Sequence, residues 1–205
     1  MQDDLFASDE PEVLIDEDGL AVLYRRWLSE EQSRGAFQTL AQELRWEQTP
    51  ITLYGRTQLI PRLNAWYGDA GSGYAYSGAS FAPRPWTETL AALRGRLERD
   101  TGARFNSVLA NLYRDGADSV AWHSDDEPEL GPEPTIASVS LGASRRFSLR
   151  HKTSRRTLAV ELADGDLLLM SGTLQRHWEH QLAKTRRDLG PRINLTYRQV
   201  IQGST

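Results

Sequence analysis

Cysteine is absent from this chain. Its absence excludes disulfides, zinc ribbons, thiol catalysis and cysteine-ligated clusters, and leaves any metal to histidine and carboxylate. Histidine is scarce as well, with four in 205 residues. Long apolar runs are missing: none approaches the roughly 20 residues that span a bilayer, so no membrane association is expected. Met1-Gln2-Asp3-Asp4 opens the chain without a basic stretch leading into an apolar one. A secretory leader is therefore not expected, and a cytoplasmic location is. An excess of base is missing too, the formal charge being -4.

That average hides two regions. Residues 1–20 hold eight acids and no Lys or Arg, while the rest of the chain carries 20 acids against 24 bases. Residues 1–20 therefore read as an acidic, flexible leader, and 21–205 as one domain with a sizeable core. Within it, 145–156 holds Arg145, Arg146, Arg150, Lys152, Arg155 and Arg156, and a second group is Lys184, Arg186 and Arg187. Such clusters either meet phosphates despite the acidic total or form an ordinary solvated surface.

Ser29-Glu30-Glu31-Gln32 has the form of a capping box. Ala36, Phe37, Leu40, Ala41 and Leu44 follow at helical spacing, so a helix is predicted over 30–44. A second is predicted after Pro85, with Leu90, Leu93 and Leu97 as its buried stripe and Gly102 past its end. Between them, 67–78 is rich in Gly and Tyr and reads as loops and short strands. From Phe105 onward the pattern is strand-like, with candidates at 106–113, 119–123, 136–141, 146–151, 157–162, 166–171, 177–182 and 193–200. So many strands without intervening helices predict a mostly β fold with flanking helices (α+β). Its core over 105–200 is expected to be a jelly roll.

His123-Ser124-Asp125 places an imidazole and a carboxylate two residues apart. In extended backbone both point to one side and can reach one ion. A third ligand has two candidates in His177-Trp178-Glu179-His180, which period-two geometry alone does not separate. Two histidines and a carboxylate leave positions open for oxygen and a co-substrate, as in non-haem iron(II) oxygenases. A hydrolytic zinc site uses similar ligands, and a plain surface turn at Ser124-Asp125-Asp126 is the bland alternative. In Pro191–Arg198, Arg192, Asn194, Thr196 and Arg198 alternate with Ile193, Leu195 and Tyr197. If that polar face points inward, two arginines need an anion, and a dicarboxylate suits guanidinium geometry. If it points outward, the sheet has one wet face.

Asn111-Leu112-Tyr113, His123-Ser124-Asp125-Asp126-Glu127, 136–142, 147–152, His177-Trp178-Glu179-His180 and 191–198 occur in that order. Jointly they resemble the AlkB family of nucleic-acid dealkylating dioxygenases, over about Tyr54 to Val200. Asp126-Glu127 and Tyr67-Gly68-Asp69-Ala70-Gly71 point to the branch resembling animal DNA-repair members. The resemblance implies a double-stranded β-helix core and iron(II) held by His123, Asp125 and His180, leaving His177 structural. It implies 2-oxoglutarate among Asn111, Tyr113, Arg192, Asn194, Thr196 and Arg198, with Arg198 foremost for the salt bridge and Arg192 reaching the distal carboxylate region or a neighbouring acid. For substrate it suggests an alkylated base of DNA (RNA is the variant) flipped into a pocket. Tyr74, Tyr76 and Trp66 would line or support that pocket, with a place in the core as the alternative, Asp126 and Glu127 would lie near the base or the strand, and Tyr54 with Gly55 and Arg56 would form an intercalating hairpin tip. The implied reaction is oxidative demethylation by a monomeric enzyme with oxygen, releasing aldehyde, succinate and carbon dioxide. The competing readings are a 2-oxoglutarate dioxygenase of RNA, proteins or small molecules, and a non-catalytic nucleic-acid module.

Overall fold

Two strands, β1 (Glu12–Ile15) and β2 (Leu20–Tyr24), precede helix α1 (Glu30–Glu43). Next come β3 (Pro50–Leu53), β4 (Arg56–Leu59), β5 (Leu63–Gly68), β6 (Tyr74–Tyr76) and β7 (Ala79–Phe81). Helix α2 (Glu88–Thr101) leads into β8 (Ser107–Tyr113), β9 (Val120–His123), β10 (Ile136–Gly142), β11 (Arg145–His151), β12 (Thr157–Leu162) and β13 (Leu167–Ser171). A one-turn helix, α3 (Leu174–His177), precedes β14 (Trp178–Leu182) and β15 (Arg192–Arg198). The computed structural model describes residues 10–53, 56–72, 74–76, 79–81 and 83–201.

The helices start and stop where their side chains dictate. Ser29 Oγ accepts from the Gln32 N–H, and Gln32 Oε1 accepts from the Ser29 N–H, closing the capping box of α1. Thr87 caps α2, Leu90, Leu93 and Leu97 are its buried stripe, and Gly102 ends it at φ +71°, in the left-handed region. All eight strands predicted after residue 105 form, most with ends shifted by a residue or two. One boundary differs in kind. His177 lies in α3 rather than in the strand, because the His177 N–H donates back to the Thr173 carbonyl at 3.2 Å.

The strands make a seven-stranded antiparallel sheet, β1-β2-β13-β10-β15-β8-β5, and a four-stranded one, β12-β11-β14-β9. From β8 to β15 the chain crosses between the two sheets at every step except the β11–β12 hairpin, whose strands are neighbours in the smaller sheet, so the other consecutive strands face each other across a sandwich, as a jelly roll requires. One face of the larger sheet packs on α1 and α2 through Val108, Ala110, Val139, Leu141, Leu195 and Tyr197. Its other face meets the smaller sheet around Tyr113, Ile136, Leu168 and Met170 on one side and Phe147, Leu149 and Leu182 on the other. β15 therefore has no wet face: every residue from Arg192 to Arg198 is buried.

The expected leader over 1–20 is partly folded. β1 and β2 form a hairpin, and β2 pairs with β13 from Leu20–Ser171 to Tyr24–Leu167. The turn has Asp18 at φ +57° and Gly19 at φ +128°, and an Asp-Gly pair between apolar runs is a strong hairpin signal. Its acids meet bases of the β11–β12 turn, with Glu17 3.3 Å from Arg156 and Asp18 3.1 Å from His151.

Candidate active site

β9 ends at His123, and Ser124 to Glu127 continue in irregular backbone before a 3-10 turn at Pro128–Leu130. His180, in the middle of β14, is the ladder partner of His123. This pairing sets the two imidazoles edge to face at 4.3 Å. Ligand atoms of His123, Asp125 and His180 all lie within 4.8 Å of one another. The His123 Nδ1–H donates to the Ala121 carbonyl at 2.9 Å, which leaves the Nε2 lone pair for a metal. Burial, with His123 adding to it, pushes the His180 imidazolium down to about 3, so that ring is neutral at ordinary pH. Burial alone would raise the Asp125 carboxyl. The Arg198 guanidinium, at 2.9 Å, outweighs it and holds the group below its ordinary range. Two imidazole nitrogens and one carboxylate are the donor set of a non-haem iron(II) site.

This cluster lines a cavity of about 390 Å³ between the sheets. Asn111, Tyr113, Arg192, Asn194, Thr196 and Arg198 line the same cavity. Antiparallel pairing explains why: Arg192 lies opposite Tyr113 and Asn194 opposite Asn111, so β8 and β15 offer matching polar faces. Arg192 is 1% exposed. Its Nη2 donates to Ser140 Oγ at 2.9 Å and Asn194 Oδ1 at 2.8 Å, while its Nε has no partner among the described residues. The Tyr113 ring covers the guanidinium at 5.5 Å. Burial lowers the pKa of Arg192 to about 10, and no carboxylate among the described residues opposes that shift. A buried cation without an anion costs several kcal/mol. The geometry therefore fits a carboxylate ligand at Arg192, and it fits iron at the triad. Arg198, rather than Arg192, meets the neighbouring acid Asp125, and the Arg192 Nε is left without a partner among the described residues.

Of the expected substrate residues, Glu127 is half-buried and lines the cavity, as does Trp66. Asp126 is exposed and 3.4 Å from Lys152, outside the cavity lining. Tyr54 and Gly55 lie outside the described residues, and so do the side chains of Arg56, Tyr74 and Tyr76. The 145–156 cluster is not the free basic surface it resembles. Arg145 is buried and donates to the carbonyls of Asp115, Asp118 and Ala183, and Arg150 pairs with Glu179 at 2.7 Å. Lys184, Arg186 and Arg187 are exposed.

Sequence reasoning missed Arg62, Ser138, Ser140 and Gln175. Arg62 lines the cavity and donates through Nε to Asn111 Oδ1 at 2.8 Å, which turns the Asn111 amide. Ser138 continues the polar ladder by donating to Asn194 Oδ1. Only Ser138 and Ser140 carried a local signal, as small polar residues on alternate positions of a strand.

A second cluster, Asp18, His151 and His177, also brings ligand atoms within 4.8 Å. It is a hydrogen-bonded dyad rather than a ligand set. His151 Nδ1 accepts from the backbone N–H groups of Thr153 and Ser154, so its Nε2 carries the proton and donates to Asp18. His177 stacks on that ring at 6.2 Å, away from the triad.

The profile of the 2OG-Fe(II) oxygenase superfamily matches residues 20–198. The mouse DNA oxidative demethylase ALKBH2 is 40% identical over 195 residues, which are 90% of this chain and 82% of that protein. The human alpha-ketoglutarate-dependent dioxygenase alkB homolog 3 is 40% identical over 188 residues, 87% of this chain and 65% of that one. Among solved structures, OsALKBH1 shares the fold with a TM-score of 0.63 at 17% identity, over 87% of this chain and 97% of that chain. With a profile match across the sandwich and 40% identity over 82% of the length of the mouse relative, the chain belongs to the 2OG-Fe(II) oxygenase superfamily of iron(II)- and 2-oxoglutarate-dependent dioxygenases, in the AlkB family.

Proposed function

We propose that this protein oxidatively demethylates N-alkylated bases in DNA, of the 1-methyladenine and 3-methylcytosine type, and so acts in repair of alkylation damage. The observation that carries the reading is one cavity joining the His123–Asp125–His180 cluster to the buried Arg192. The substrate follows the relatives named DNA oxidative demethylase.

His123, Asp125 and His180 would hold iron(II), and Arg192 would take a carboxylate of 2-oxoglutarate. Iron held there with 2-oxoglutarate and oxygen would supply the oxidation of the N-alkyl carbon, which would be released as an aldehyde, with succinate and carbon dioxide formed from the co-substrate. The chain supplies the positioning and the dry walls. Arg198 orients the Asp125 carboxylate and keeps it ionised. Asn111, Asn194 and Thr196 present hydrogen-bonding groups along one wall, and Phe147, Met170 and Leu182 give that cavity apolar surface that resists water. Glu127 would face the base, where a carboxylate favours a cationic methylated ring. Asp126, Tyr54, Gly55, Arg56, Tyr74 and Tyr76 remain the proposed contacts around base and strand. Exposed Lys184, Arg186 and Arg187 would meet phosphates. We take the working form to be a cytoplasmic monomer, which sedimentation and cell fractionation check.

The test is incubation with iron(II), ascorbate, 2-oxoglutarate and oligonucleotides carrying 1-methyladenine or 3-methylcytosine, as DNA and as RNA. Mass spectrometry should record loss of the methyl group from DNA. Asp125→Ala should abolish turnover and keep oligonucleotide binding. Turnover of RNA alone, or turnover surviving Asp125→Ala, would sink the reading.

A further inference from the structure

The carboxylate of the triad stands on irregular backbone, beyond the last residue of β9. The ladder between β9 and β14 is itself irregular between His180 and Leu182. Regular pairing therefore does not fix Asp125 relative to His180. Arg198 holds the Asp125 carboxylate at 2.9 Å, and two bonds outside the ladder hold the backbone of this segment. Ser124 Oγ donates to the Trp178 carbonyl at 2.9 Å, and the Asp125 N–H donates to Gln175 Oε1 at 3.0 Å.

Gln175 is suited to that task. It sits in α3, the turn leading directly into β14, so its side chain ties the Asp125 segment to the strand that carries His180. It is 1% exposed, and the Lys152 ammonium donates to its carbonyl oxygen at 2.9 Å, which anchors the backbone of α3. Its Nε2 faces Met170 Sδ at 3.7 Å, a weak acceptor. A buried amide that spends its other end on a thioether is held chiefly by its bond to Asp125.

We propose that Gln175 is a positioning residue of the metal centre, which fixes the Asp125 backbone and so sets the spacing of its carboxylate from His180. The proposal rests on the reading that His123, Asp125 and His180 hold iron. Groups that orient metal ligands are worth about 10- to 100-fold in metal affinity.

The test titrates Mn(II) and Co(II) into metal-free full-length protein and reads dissociation constants and the Co(II) absorption spectrum, without turnover. Gln175→Met removes the acceptor at similar volume. It should bind both ions about 10- to 100-fold more weakly, with a changed Co(II) spectrum. Gln175→Glu keeps an acceptor and should stay closer to wild type than Gln175→Met. Should Gln175→Met not fold, Gln175→Asn, which draws the acceptor back by one methylene, takes its place with the same expectation. Wild-type affinity and spectrum in the folded variant, whatever its melting temperature, would overturn the proposal. Asp125→Ala is the control: if it too binds as wild type, the metal assignment is what fails.

Discussion

Arg192 and Arg198 lie six residues apart on one face of β15 and are both nearly excluded from water, at 1% and 4% exposure. Their neighbours give them different work. Arg198 neutralises Asp125, whereas Arg192 keeps donor capacity for an incoming anion. Arg192→Met should therefore raise the KM for 2-oxoglutarate. The lost charged hydrogen bonds are worth about 1.5–3 kcal/mol, or roughly 10- to 150-fold. Steady-state kinetics with varied co-substrate checks this, and an unchanged KM would return the carboxylate to Arg198. His180 supplies a second test. Folded, its pKa lies near 3, below its usual 6.5, so the unfolded chain binds a proton that the native one refuses. That contribution to stability is present at neutral pH and is lost as pH falls from about 6.5 toward 3. Urea midpoints of metal-free protein should drop over this range, and His180→Gln should flatten part of the drop. Equal slopes for the two proteins would count against it. Period-two alternation makes the polar face of β15 legible in the sequence. It does not say which arginine meets Asp125, because that depends on a turn from another sheet.

At the scale of elements, α3 joins parts that the chain order keeps separate. Its first residue, Leu174, receives the tip of the β1–β2 hairpin. A Cβ added at Gly19 would lie 2.4 Å from the Leu174 Cα, at a φ of +128° that side chains avoid. Gly19→Ala should destabilise the protein by about 1–3 kcal/mol, read as a lower urea midpoint. Because α3 carries Gln175, weakened metal binding should accompany it. The two long helices were legible because each buries one face at a spacing of three to four residues, and β15 because polar and apolar side chains alternate along it although both its faces are buried. α3 was not, since His177 through His180 alternates like a strand and only the backbone bond to Thr173 turns it into a helix. The β1–β2 hairpin was obscured by its acids, although the Asp-Gly turn between apolar runs was present.

For the whole molecule, the larger sheet reaches from β1 to β5, and its central strands carry the polar face of the cavity. Removing residues 1–24 would strip β1 and β2 from β13 and uncover the Leu168–Met170 side of the inner core. The truncated protein should lose cooperative melting in circular dichroism. A melting curve matching the full-length chain would show that the hairpin is an accessory.

The sequence by itself determined the kinds of ligand, the strand-rich core and the polar stripe of β15, but not that the stripe turns inward. These follow from donor chemistry and from alternation among neighbours in the chain, which local backbone geometry enforces. The resemblance to the AlkB family named His180 over His177, and only the tertiary structure decided that Arg198 serves Asp125 and that Gln175 ties the Asp125 segment to the strand carrying His180. Each of these is a contact between residues distant in sequence, and long-range pairing across two sheets selects it.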